Sequence, residues 1–254
     1  LLLTLFSGLV LNIQAQIHTE LIKYYDGETL LEGYIFYDKS IAGERPAVIV
    51  VHDWMGISEF TKSRCERLAE LGYVAFAADI YGKDSRPASN QDAGKIASIY
   101  KNDRQLMRNR INLAFDQMKK TDVVYKEKIA VMGYCFGGTV ALELARSGAD
   151  IKGAVSFHGN LDTPNPDYAK NIKSKILVLN GADDSYVPDV QIKAFEKEMN
   201  DAKIDWQFVN YSGAVHSFTN PGSGNDNSKG AAYNEKADKR SWLAMKTFFE
   251  EIFN

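Results

Sequence analysis

A thiol, a pair of carboxylates and an imidazole follow one another along the chain as Cys135, Asp183 with Asp184, and His216. Each stands just behind an expected strand. Cys135 lies in Gly133-Tyr-Cys-Phe-Gly-Gly138 after Lys128-Ile-Ala-Val-Met132. The aspartates lie in Gly181-Ala-Asp-Asp-Ser-Tyr-Val-Pro188 after Lys175-Ile-Leu-Val-Leu179, and His216 in Gly213-Ala-Val-His-Ser-Phe218 after Asp205–Tyr211. Brought together, such groups perform acyl transfer. The thiol attacks a carbonyl, the imidazole carries the proton to the leaving group, and a carboxylate orients the imidazole and stabilises its charged form.

The residues around Cys135 make it more than a buried thiol. Small residues two before and two after it suit a strand that turns sharply into a helix. There the two backbones run too close for a Cβ, and the central side chain is forced out over the helix N-terminus. That end of a helix stabilises negative charge and so favours a thiolate. Taken alone, the glycine-rich turn is equally compatible with a packing cysteine, because free cysteine is among the most buried residue types. The acid and the histidine, in the order of an α/β-hydrolase triad, decide between the two readings. The spacing leaves Asp183 and Asp184 both open as the acid.

These groups need a scaffold of buried strands. Thr19–Tyr25 and Thr29–Tyr37 flank Asp26-Gly27, a hairpin signal at a sheet edge. Pro46–Val51 is a β-branched run fit for a central parallel strand, and it ends in His52-Asp-Trp-Met-Gly56. A helix is expected from Glu59 to Leu71, closed by Gly72, and a strand over Tyr73–Asp79. Residues 82–90 read as loop. One helical pattern runs from Gln91 to about Lys120, with Met107, Ile111, Ala114, Phe115 and Met118 on one face and Arg104, Arg108 and Lys119 elsewhere. After the Cys135 turn come a helix to Arg146, strands over Ile151–Phe157, 175–179 and 205–211, and a helix from Pro188 to Met199. A final amphipathic helix carries Trp242, Met245, Phe249 and Ile252. Alternation of this kind gives a mostly parallel, doubly wound sheet with helices on both faces, and ligands bind beyond the carboxyl ends of its strands.

Length, composition and charge narrow the function classes. A chain of 254 residues can build one large α/β domain, and a formal charge of −3 without a dense Lys/Arg block gives no nucleic-acid-binding face. Two cysteines make no disulfide framework, and four scattered histidines, His18, His52, His158 and His216, give no metal cluster. Residues 1–16 differ in kind. Leu1–Leu11 is apolar and leads into Asn12-Ile-Gln-Ala-Gln16, which reads as a secretory signal peptide, truncated at its start and too short for stable membrane insertion. The expectation is an exported protein, periplasmic or secreted, with a single domain over residues 17–254; without the signal it would be cytoplasmic.

Across residues 20–253 the chain resembles the dienelactone hydrolase family. The resemblance rests on Val50-Val-His-Asp-Trp-Met-Gly56, Leu71-Gly-Tyr-Val-Ala-Phe-Ala-Ala-Asp-Ile-Tyr-Gly82, Val131-Met-Gly-Tyr-Cys-Phe-Gly-Gly138, Gly181–Pro188 and Tyr211-Ser-Gly-Ala-Val-His-Ser-Phe218. It implies an α/β-hydrolase fold, selects Asp184 as the acid, and implies an oxyanion hole made by the backbone N–H groups of Phe136 and Trp54. It also gives a task to the residue after His52, which in the family prototype is a glutamate that holds the resting thiol until substrate arrives; here it is Asp53, one methylene shorter. The prototype's two substrate-binding arginines fall on Asn220 and near Asp92, where this chain has none. Arg86, Arg104 and Arg108 are the candidates to replace them.

The expected function is hydrolysis of a small carboxylic ester or lactone through a Cys135–His216–Asp184 triad and a thioester acyl-enzyme, with no metal and no organic cofactor. The rival is a non-catalytic ligand-binding or redox-sensing module on the same fold.

Overall fold

The computed structural model describes residues 15–254. The expected signal segment over residues 1–16 therefore lies, as far as residue 14, outside the described residues. Among those described, eight strands form one sheet in the order β1-β2-β4-β3-β5-β6-β7-β8. β1 (Ile17–Asp26) and β2 (Thr29–Asp38) are the expected edge hairpin, with Gly27 at φ +56° in the two-residue turn. β2 pairs antiparallel with β4 (Val74–Ala78). From there the sheet is parallel through β3 (Arg45–Val51), β5 (Val124–Tyr134), β6 (Gly153–Phe157), β7 (Lys175–Gly181) and β8 (Trp206–Tyr211).

Both faces are covered, which is why the central strands read as continuous apolar runs. Side chains alternate along each strand. Val48, Val50, Ala130, Met132, Val155 and Leu177 face the helices α1 (Glu59–Glu70) and α6 (Glu235–Phe253). Ala47, Ile49, Val51, Val131, Ala154 and Ile176 face the opposite layer, which includes α3 (Arg104–Lys119), α4 (Phe136–Arg146) and α5 (Asp189–Asp201).

Two features depart from the sequence expectation. The helical pattern over 91–120 is two helices, α2 (Asn90–Asn102) and α3, because Asp103 leaves helical geometry at φ −116°, ψ 85° and its carboxylate caps the Leu106 N–H at 2.9 Å. Arg108, a candidate to hold a substrate carboxylate, is already paired inside the protein. It is buried, 2.7 Å from the fully buried Glu143 of α4, with its guanidinium over the Tyr168 ring.

Candidate active site

The strand β5 stops at Tyr134 and α4 starts at Phe136, which leaves Cys135 alone at the turn with φ 55° and ψ −117°. A residue with a Cβ is strained at positive φ, by roughly 1–3 kcal/mol, unless its surroundings hold it. Here the Cys135 N–H donates to Phe157 O at 3.0 Å and to His158 Nδ1 at 3.1 Å, and its carbonyl accepts from the Gly138 N–H at 3.0 Å. The glycines that flank the turn leave no room for side chains. A Cβ on Gly137 would lie 2.5 Å from His52 O, so the loop after β3 rests directly on the start of α4.

Three strand ends converge on the thiol. His216 follows β8, and its Nε2 stands 3.0 Å from Cys135 Sγ. Its Nδ1 stands 2.8 Å from Asp184 Oδ2, in the loop after β7. The other carboxylate oxygen of Asp184 accepts the Tyr186 N–H at 2.9 Å, so both oxygens have partners. Asp183 is exposed, and its backbone N–H bonds to Ala214 O. The geometry thus selects Asp184 between the two aspartates. Burial disfavours charge on His216, but the Cys135 sulfur and Asp184 outweigh it and push the imidazole up to about 10.

The backbone behind His216 is also held. Its N–H bonds to Gly230 O at 3.3 Å and its carbonyl accepts the Ala232 N–H at 3.0 Å. The stretch over 219–230 contains two short 3₁₀ turns and straps the histidine loop. The candidate oxyanion donors, the N–H groups of Phe136 and Trp54, have no acceptor of their own among the described residues. Phe136 is the first residue of α4, so its N–H has no intrahelical carbonyl, and the Trp54 N–H has no acceptor among the described residues.

Residues 31–253 match the sequence model described as the dienelactone hydrolase family. The chain belongs to the dienelactone hydrolase family. A crystal structure described as a dienelactone hydrolase-like promiscuous phosphotriesterase from metagenomic libraries is 38% identical, with a TM-score of 0.90, over 95% of this chain and 100% of that one. The protein usf of Aquifex pyrophilus is 27% identical over 91% of this chain and 98% of its own. A protein of Aquifex aeolicus, provisionally named a carboxymethylenebutenolidase, is 28% identical over 91% of this chain and 97% of its own. Membership makes this α/β-hydrolase-fold chain a hydrolase acting on carboxylic ester bonds of small molecules.

Against this family background three local features stand out. Asp53 makes no hydrogen bond to the thiol among the described residues. The shorter side chain folds back, and its Oδ1 accepts the Met55 N–H at 2.8 Å, while burial raises the carboxyl above its ordinary range. The candidate arginines are committed elsewhere: Arg86 to Glu32 at 3.1 Å, Arg104 to Asp162 at 2.6 Å, and Arg108 to Glu143. Asn220 caps the 3₁₀ turn over Pro221–Ser223.

Two histidines that read as scattered are part of the surroundings. His158, at φ 40°, accepts the Cys135 N–H at Nδ1, so its Nε2 carries the hydrogen and donates to Thr219 Oγ1 at 2.8 Å. Burial holds it well below its ordinary pKa and so neutral. His52 is fully buried and bonds to the Asp53 carbonyl. Both stand just past the carboxyl end of a central strand, and that position was the available signal.

Proposed function

We propose that this protein hydrolyses a small carboxylic ester or lactone through a thioester acyl-enzyme on Cys135, with His216 as proton carrier and Asp184 as its orienting partner. The observation that carries this reading is the single imidazole bridging sulfur and carboxylate, at 3.0 Å and 2.8 Å. Cys135 Sγ attacks the substrate carbonyl carbon and forms the S–C bond, and the carbonyl oxygen becomes an oxyanion facing the N–H groups of Trp54 and Phe136. Collapse of this intermediate breaks the C–O bond, and His216 Nε2 gives its proton to the departing alkoxide. Water then attacks the thioester, His216 takes its proton, and the acid leaves as the S–C bond breaks. Each oxyanion donor contributes about 3–4 kcal/mol in comparable sites.

The test is turnover of p-nitrophenyl acetate together with intact-mass detection of an acetylated Cys135 in a rapidly quenched sample. Loss of both in Cys135→Ala is expected. A Cys135→Ala variant as active as the parent would end the thiol mechanism.

A further inference from the structure

We propose that His52 is a positioning residue for the oxyanion hole, fixing the plane of the Asp53–Trp54 peptide and with it the direction of the Trp54 N–H. This rests on the reading above, in which the Trp54 N–H receives the developing oxyanion.

The side chain of His52 is fully buried, with Nδ1 2.6 Å from Asp53 O and Nε2 3.3 Å from the backbone nitrogen of Ile80. A backbone N–H only donates, so Nε2 must be bare; a carbonyl only accepts, so Nδ1 must carry the hydrogen. The two partners therefore dictate one neutral tautomer. Burial, which pushes the imidazole below its ordinary pKa, agrees with that state.

The Asp53 carbonyl and the Trp54 N–H belong to one peptide unit. That unit is planar, and no cis peptide occurs among the described residues, so the two groups point in opposite directions. Holding the oxygen therefore aims the hydrogen. The Gly56 N–H adds a second, longer bond to the same oxygen at 3.3 Å. The next peptide unit is held as well, by the Tyr81 hydroxyl donating to Trp54 O at 3.1 Å and by Asp53 Oδ1 accepting the Met55 N–H. The imidazole also stacks on Phe136, with ring centroids 5.9 Å apart and planes at 16°, and meets Tyr81 edge-on at 4.8 Å. One ring thus bonds to the peptide that bears one donor and packs against the residue that bears the other. An aliphatic side chain of similar volume would fill the space without holding the carbonyl.

The experiment compares His52→Asn, His52→Gln and His52→Leu with the parent by p-nitrophenyl acetate kinetics and by the rate at which iodoacetamide alkylates Cys135. Alkylation forms an S–C bond at a saturated carbon and expels iodide, so no oxyanion develops. It reports the thiolate and its access alone. Asn places an amide N–H where Nδ1 stands, whereas Gln places it near Nε2. The expected result is a kcat lowered by about 10- to 100-fold in His52→Leu and His52→Gln, below the loss of a whole donor. KM and the alkylation rate should stay within about twofold, and His52→Asn should recover at least about tenfold of the lost kcat. Equal kcat for the Asn and Gln variants would overturn the proposal even if the Leu variant failed to fold. So would alkylation falling in step with hydrolysis, or an unchanged kcat in His52→Leu. Parent-like hydrolysis in Cys135→Ala would instead remove the underlying thiol mechanism, which separates the two failures.

Discussion

Gly133 and Gly137 meet backbone to backbone across the Cys135 turn, so close that a Cβ on Gly133 would fall inside the carbonyl group of Gly137. Neither partner can retreat, because Gly133 is paired into the central strands on both sides and Gly137 lies against the carbonyls of Val51 and His52. Gly133→Ala should therefore cost about 3 kcal/mol or more, at the upper end for overpacking. Gly94, inside α2, is the contrast: an added Cβ there meets nothing nearer than the Trp54 ring at 3.9 Å. Gly94→Ala should stabilise by about 0.5–1 kcal/mol, the helix-interior difference between the two residues. Urea unfolding midpoints of the two variants check both signs.

Asp184 uses one oxygen for the His216 ring and the other for the Tyr186 N–H. Asparagine offers one acceptor and one donor in the same volume, so Asp184→Asn must leave either the Tyr186 N–H or the His216 Nδ1–H without its acceptor. If the amide nitrogen faces His216, the ring has to place its hydrogen on Nε2, where it can no longer take a proton. A fall in kcat of about 10³- to 10⁴-fold is expected, as for the corresponding change in a serine triad. Thermal unfolding should move far less. Parent-like ester turnover in this variant would argue that the carboxylate charge is irrelevant to the reaction.

The charge state of His216 gives a pH dependence whose sign is fixed. Its folded-state value is raised to about 10 from an ordinary 6.5. Below pH 6.5 the imidazole is protonated folded or unfolded, and its stabilising contribution is complete. Between 6.5 and about 10 the folded chain keeps a proton that the unfolded chain has released, so stability from this group declines with rising pH and is gone above 10. Histidine NMR should show His216 still cationic at pH 8 in the parent. In Cys135→Ala its midpoint should drop, because the sulfur is the largest of the influences that raise it. A midpoint near 6.5 in both proteins would contradict the ion-pair picture.

The order thiol, acid, histidine was readable because each group follows a strand-like run, buried in β5 and β7 and half-exposed in the edge strand β8, and a parallel sheet delivers the carboxyl ends of its strands to one side. The hairpin was readable from Asp26-Gly27 for the same local reason. What the sequence hid depends on tertiary partners. Arg108 lies off the apolar face of its helix, and its partner Glu143, fully buried on α4, is 35 residues away in sequence. The break at Asp103 hides inside an apolar period that continues on both sides, although an aspartate three residues before Leu106 is an N-cap signal. His52 and His158 each bond to a backbone group far away in sequence, Ile80 for one and Cys135 for the other, and no spacing rule reports that. The shortening of glutamate to Asp53 was visible; its turn toward the Met55 N–H was not.

Substrate charge is the property this site should discriminate most sharply. Every arginine that could replace the family's carboxylate clamp already faces a carboxylate of its own: Arg86 lies between Glu32 and Asp79, Arg104 on Asp162, Arg108 on Glu143. Asp53 and Asp184 meanwhile bring negative charge or its potential to the site, and the groups nearest the histidine include the half-exposed Tyr186 ring, 5.0 Å from the imidazole. A hydrogen bond to a charged group is worth about 1.5–3 kcal/mol, so a substrate carboxylate without a guanidinium partner forfeits about tenfold or more in kcat/KM. A neutral ester should therefore outpace its analogue with a free carboxylate by at least that factor, mainly through KM. Arg86→Ala and Arg104→Ala should leave the ratio unchanged. A carboxylated lactone turned over faster than the neutral ester, with that preference lost in one arginine variant, would show that a guanidinium leaves its ion pair when substrate binds.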